Sequence, residues 1–221
     1  MKLFYSPGAC SMAAHILLEE TGKTYACVSV DIRDPAHKTS SGEDFLALNP
    51  KAYVPALVLD SGDVLTENSA LLPWIAAQDP QRRLMPAEGT LENYRVHEWL
   101  GFIGTEIHKS CSPLFRPDAS PEVVKSSHAA LKRRLGYVNE SLASKPYLTG
   151  EAFTPADAYL FVVLSWFAHL AFDLAPYPHL QAFQARVAAR PSVQKVLRAE
   201  GLAEMVLLLE LVVRTVVDVT T

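Results

Sequence analysis

Several short stretches place reactive side chains where the chain changes direction. The first is SPGACSM, which carries one of only three cysteines in 221 residues. Ser6-Pro7-Gly8 is turn chemistry, and a helical pattern begins at Ser11, so Cys10 falls just before or at the helix's first turn. The positive end of a helix dipole, with its free N–H groups, favours thiolate over thiol. Ser11 could add a hydroxyl donor at the same spot. Cysteine is also a common small buried residue, so this spacing alone leaves reagent and packing residue open.

Other stretches offer binding rather than reaction. Val54-Pro55 stands directly before a strand, and a cis peptide there would turn the Val54 backbone outward as a free hydrogen-bonding edge. Glu67-Asn68-Ser69 ends a strand and opens a helix. Such a junction is a cap, or a seat for a ligand whose carboxylate meets helix amides while the Glu holds an ammonium group. Gly101, Thr105 and His108 share one face of a long helix, small or polar in an otherwise apolar run. That face meets solvent or lines a cleft, where a His can serve as acid, base or polar contact. Cys27 in an alternating strand reads as core, and Cys111 just past the long helix as packing. Tyr159 and Trp166 lie on an apolar helix and read as core, although either could wall a pocket.

The elements that must position these residues change character along the chain. Residues 2–5 and 25–31 read as strands with a helix between them that stops at Gly22. Residues 33–42 are polar and loop-like, and 44–48 make a helical turn. Residues 56–59 and 64–66 form a hairpin about Ser61-Gly62-Asp63, and a helix opens at Asn68 or Ser69. One parallel crossover plus one hairpin gives a small mixed sheet. Pro73 disagrees, because inside a helix it should remove a hydrogen bond or bend the axis.

Residues 81–87 lie in a charged, Pro-bearing linker, and everything beyond it reads as helix. The expected organisation is an α/β unit over residues 1–80, an all-α unit over 88–202, and an extension over 203–221. Ser120-Pro121-Glu122 and Thr154-Pro155-Ala156-Asp157 are helix starts. The segment after Asp157, AYLFVVLSWFAHLAF, is apolar on nearly every side and should be the buried central helix.

Composition removes some function classes. The chain is 49% hydrophobic and 20% charged with a formal charge of −4, which gives no pull toward nucleic acid or an anionic membrane. Lys132-Arg133-Arg134 reads as a solvated helix face. No stretch supplies the roughly 20 apolar residues of a membrane span. The start lacks the apolar core and cleavage site of a signal peptide. Three unpaired cysteines fit a reducing cytoplasm, and seven histidines with no HxxxH spacing predict no metal.

With SPGACS, NPKAYVPAL, LTENSAL, WLGFIGTEIHKS and TPADAYLF in order, the chain resembles a cytosolic glutathione S-transferase of the bacterial beta class. The resemblance runs from residue 1 to about residue 202. It implies a thioredoxin-like N-terminal domain, an all-helical C-terminal domain, a homodimer, and glutathione as co-substrate. It also implies roles. Cys10 and Ser11 would face the glutathione sulfur, and Val54 before a cis Pro55 would pair with the peptide of glutathione. Glu67 and Asn68 would hold its γ-glutamyl end, and His37 or Lys38 its glycine carboxylate. Thr105, His108 and Lys109 would border the site, and Trp166 would wall the electrophile pocket. Thr154 and Asp157 match the family's N-capping box. Asn68 stands where the family has Ser or Gly, Gly101 where the class often has Asn, and the loop at 33–42 is altered.

The expected activity is conjugation of the glutathione thiolate to a small hydrophobic electrophile. Two rivals remain. Cys10 could instead exchange disulfides in a monothiol route, since Ala13 leaves no resolving Cys. A non-catalytic ligand-binding protein could also keep the fold. Residues 203–221, apolar and β-branched, have no counterpart in the family.

Overall fold

The computed structural model describes residues 1–170 and 172–202. The expected extension at 203–221 lies outside the described residues.

The first half is built on a four-stranded sheet of order β2-β1-β3-β4. β1 (Lys2–Tyr5) pairs parallel with β2 (Ala26–Ser29), with Leu3 opposite Cys27. β3 (Ala56–Val58) runs antiparallel to β1 and to β4 (Val64–Thr66), which gives the expected mixed sheet. α1 (Met12–Thr21) joins β1 to β2 and ends at Gly22, whose φ of 66° is left-handed backbone that glycine adopts without a Cβ clash. α2 (Phe45–Leu48) is a single turn whose N-cap, Asp44, accepts the Ala47 N–H. α3 (Asn68–Ala77) follows β4 and runs on through Pro73.

The segment between the halves is not a loose tether. The buried Asp79 carboxylate accepts the N–H groups of Gln81 and Arg83 and faces the Arg83 guanidinium. Its pKa lies below the usual value because these donors outweigh its burial.

The second half is helical. α4 (Leu91–Phe102) passes into a π-helical turn (Ile103–His108) and then α5 (Lys109–Cys111). A 3-10 turn (Ser112–Phe115) leads to α6 (Pro121–Ser141), where Ser120 caps the helix through the Val123 N–H. Leu131, Leu135 and Val138 form its buried stripe. Arg134 departs from the solvated face expected of the basic run, because its guanidinium pairs with Glu106 of the π turn.

α7 (Pro155–Ser165) is buried at every residue from Pro155 to Leu164, as its composition requires. Its start is the expected capping box. The Asp157 carboxylate accepts the N–H and hydroxyl of Thr154 and the N–H of Leu148. Burial pushes Asp157 up to about 6, and these donors oppose the shift, so the carboxylate is ionised at neutral pH. α8 (Pro178–Ala188) and α9 (Pro191–Ala199) close the described chain.

α1 joins the halves. Its apolar residues Met12, Ile16, Leu17 and Leu18 have no exposed surface, because the sheet and α3 cover one side while α7 and α9 cover the other. Burying each such side chain is worth roughly 1.5–3 kcal/mol. Cys27 corrects the expectation of a core cysteine. β2 is an edge strand, and Cys27 is exposed there while Cys111 is fully buried.

Candidate functional site

The turn at residues 6–11 presents Cys10. Ala9 N–H bonds Ser6 C=O, and Met12 N–H bonds Ala9 C=O. The Ser11 hydroxyl is turned inward, accepting from Ser6 N–H at 3.1 Å and donating to Ser6 C=O at 3.3 Å. Ser11 therefore clasps the turn with its side chain and offers the site its backbone N–H. The expectation of a hydroxyl aimed outward does not match this placement.

Cys10 is a thiol, not the thiolate that its helix-terminal position suggests. Its Sγ–H donates to the Val54 carbonyl at 3.2 Å. Burial pushes Cys10 up to about 12, and the Glu67 carboxylate adds to the shift. The N–H groups of Cys10 and Ser11 and the Lys109 ammonium pull the other way and lose.

Val54 reaches Cys10 because the Val54–Pro55 peptide is cis. The loop before it is held by Asn49, whose side-chain amide donates to the Tyr53 carbonyl at 2.7 Å. At the end of β4, Glu67 has a φ of 67°, a conformation that costs a non-glycine residue of order 1–3 kcal/mol. Its carbonyl accepts from Ala70 and Leu71 and so starts α3, while its side chain points outward. There the carboxylate meets Lys51 Nζ at 2.6 Å, and Lys51 also bonds Thr66 Oγ1 at 2.7 Å. Lys51 lies inside the NPKAYVP stretch but has no signal of its own. Asn68 is buried, its Nδ2 donating to the Cys10 carbonyl at 3.2 Å, and its Oδ1 is buried without a partner among the described residues.

The helical half meets this cluster through the π turn. An extra residue per turn rotates the helix beyond it about its axis. Thr105 therefore stays exposed, bonding the Gly101 carbonyl at 2.9 Å, while His108 turns inward. The shared face expected for Gly101, Thr105 and His108 is broken at this point. His108 Nδ1 lies 2.6 Å from the Tyr159 hydroxyl, and its ring stands 4.8 Å from the Trp166 ring. Trp166 Nε1 donates to the Gly8 carbonyl at 2.8 Å, which ties this wall to the Cys10 turn. Phe115 packs edge-on against Trp166 with centroids 5.6 Å apart.

Burial, then the Lys109 charge, pushes His108 down to about 4, so its imidazole is neutral at pH 7. Burial raises Tyr159, with the field of Cys10 adding to it, so the phenol stays protonated. The Asn68 side chain also reaches this hydroxyl, and where the O–H donates to Nδ1 the imidazole accepts there. The proton of the neutral ring then sits on Nε2. Tyr159, read from the sequence as core, is thus the residue that orients His108.

His37 and Lys38 are not brought to this cluster. His37 stacks on Phe45 with centroids 6.2 Å apart, and Lys38 pairs with Asp34 at 3.0 Å. A hollow lined by Met1, Lys23, Trp74 and Gln78 lies elsewhere and holds none of these groups. No group of three or more potential metal ligands occurs among the described residues. No helix among them is long and apolar enough to cross a membrane.

The chain matches the family models for the glutathione S-transferase N-terminal domain over residues 8–78 and C-terminal domain over residues 102–191. It is 46% identical over 202 residues to glutathione S-transferase GstA of Escherichia coli O157:H7, covering 91% of this chain and 100% of that protein. It is 36% identical to glutathione S-transferase GST-4.5 of Xanthomonas campestris, covering 91% and 100%. Among solved structures, the ternary complex of BphK, a bacterial transferase, superposes with a TM-score of 0.88 at 50% identity, covering 91% and 100%. The beta-class enzyme of Sphingomonas chungbukensis gives a TM-score of 0.87 at 49% identity, with the same coverage. A sphingomonad transferase in complex with glutathione gives 0.87 at 48%, again over 91% and 100%. The chain belongs to the glutathione S-transferase family, in its bacterial beta class.

Proposed function

We propose that the chain binds glutathione against the turn at Cys10 and conjugates its thiolate to a small hydrophobic electrophile held by the helical half. One observation carries this reading: Cys10, Asn68, His108, Tyr159 and Trp166, from separate parts of the chain, converge on one cleft. In the proposed complex the Cys10 thiol and the N–H groups of Cys10 and Ser11 donate to the glutathione sulfur. His108 donates from Nε2–H, and Lys109 adds positive field. Donors that strengthen as the sulfur becomes anionic lower its pKa and raise the nucleophilic fraction at neutral pH. Two adjacent thiolates would repel, so a Cys10 held neutral suits the role of donor.

The Val54 backbone would pair with the peptide of glutathione. Glu67 would exchange Lys51 for the γ-glutamyl ammonium, and Lys51 would be free for a carboxylate. Asn68 would stand behind Cys10. Trp166 and Phe115 would wall the electrophile pocket, with Thr105 and Lys109 at its rim. The functional division is residues 1–80 for glutathione, 81–87 as linker and 88–202 for the electrophile. The working form is a cytoplasmic homodimer.

Disulfide exchange at Cys10 has less support, because a thiol held near 12 and bonded to a carbonyl has no group to take its proton. The test is the purified chain with glutathione and an aryl halide, and separately with a glutathione mixed disulfide. Turnover of the halide supports conjugation. Turnover of the disulfide alone returns the exchange reading, and neither turnover nor retention on immobilised glutathione leaves a binding protein.

A further inference from the structure

A second thiol stands outside this cleft, in an arrangement that conjugation does not use. Cys27 Sγ on the edge strand β2 lies 3.6 Å from Nε2 of His15. Across the ring, His15 Nδ1 lies 2.8 Å from Glu200 Oε1, with both side chains buried. The other carboxylate oxygen accepts the Gly8 N–H at 2.9 Å, so both oxygens of Glu200 are engaged. The rings of Tyr5 and Tyr25 flank the imidazole with centroids 5.4 and 5.7 Å away and fix its plane.

In the neutral ring that donates Nδ1–H to the Glu200 carboxylate, Nε2 is the acceptor that faces the sulfur. Cys27 is the partner of Nε2 among the described residues. A nucleophile, a base that can take its proton, and a third group that orients the base make up an activated thiol.

We propose that Cys27 is a second reactive thiol, at which His15 oriented by Glu200 serves as base for exchange with a small disulfide such as glutathione disulfide. The proton passes from Sγ to Nε2, and Sγ attacks one sulfur of the disulfide. The reagent's S–S bond breaks as the new one forms, and the departing thiolate takes the proton back from Nε2. Cys27 is oxidised to a mixed disulfide, and half of the reagent is reduced to a thiol.

The surroundings work against a standing thiolate. Burial of the sulfur, then the carboxylates of Glu200 and Glu19, push Cys27 up to about 12 although the residue reaches solvent. Without a base, such a thiol exchanges more slowly than the same cysteine in an unfolded chain. With a positioned base it exchanges faster, since general-base help contributes roughly 100-fold or more. The two cases differ in sign, so one comparison separates them.

The wild-type chain is incubated with glutathione disulfide in native buffer and in urea, and adducts are followed by mass spectrometry of tryptic peptides. Residues 24–33 carry Cys27 on a peptide separate from Cys10 and Cys111. The expected result is faster adduct formation at Cys27 in the folded chain, by roughly tenfold or more. His15→Gln and Glu200→Gln should remove that advantage, and the Gln at 200 keeps an acceptor for Gly8. A folded rate at or below the unfolded rate overturns the proposal without any variant, as does an undiminished rate in both Gln variants. The outcome is independent of conjugation, which is measured at Cys10 and with a different reagent.

Discussion

The two sides of the cleft are built from different material. The thioredoxin-like side presents mostly backbone: the N–H groups of Cys10 and Ser11 and the Val54 carbonyl. The helical side presents side chains, with His108, Tyr159 and Trp166 each holding the next. Backbone groups survive substitution of the residues that carry them, whereas a chain of side chains loses function at every link. The first side should therefore tolerate mutation and the second should not.

The largest effect is expected at His108. His108→Ala removes the Nε2–H donor, and a hydrogen bond to a charged group is worth about 1.5–3 kcal/mol, so kcat/KM should fall by roughly 30-fold. A fall below about threefold would mean that the backbone side does the work alone. Glu67 is the exception on its own side, since its charged side chain reaches outward. Glu67→Gln should raise the KM for glutathione by roughly tenfold and leave kcat nearly unchanged.

Tyr159→Phe should lower kcat by roughly fivefold with little change in KM, because it frees Nδ1 and with it the placement of the ring proton. Cys10→Ala sharpens the comparison most, because the N–H groups remain. Conjugation should fall less than about fivefold, because S–H is a weak donor and its bond to the sulfur is worth about 1 kcal/mol or less. Complete loss would break the comparison and make the thiol itself indispensable.

The smallest effect is in pH. With His108 held down to about 4, its NMR titration should show no inflection between pH 7 and 5. The unfolded chain takes up this proton near 6.5 and the folded chain does not. Folding stability from this group is therefore full above about 6.5 and is lost as pH falls toward 4. A midpoint near 6.5 in the folded chain would place His108 in water and undo the orienting role of Tyr159.

The fold is legible in the sequence because its signals are local. Glycine at residue 22, the hairpin at Ser61-Gly62-Asp63, and the starts at Ser120 and Thr154 each announce an element within a few residues. The position of Cys10 is legible for the same reason. Its protonation is not, because the groups around it, Val54, Glu67 and Asn68 from one half and Lys109 and Tyr159 from the other, are far away in sequence. His108 stands out as a polar residue on an apolar helix, but the π turn that aims it leaves no mark in IGTEIH. Tyr159 and Lys51 are hidden because a residue defined by its partner has no pattern of its own. Cys27 reads wrongly as core because alternation tells strand from helix, not an edge strand from an interior one.

The bond from Gly8 N–H to Glu200 spans 192 residues and reaches the turn that carries Cys10. A chain made from its N-terminus folds domain by domain as it emerges. The thioredoxin-like half can pack early, but the Cys10 turn receives its last hydrogen bond only when residue 200 has been translated and α9 has docked. The first residues of the site to be synthesised are thus among the last to be finished, and a nascent chain stalled before α9 would carry Cys10 on a turn held by Ser11 but not yet by Glu200.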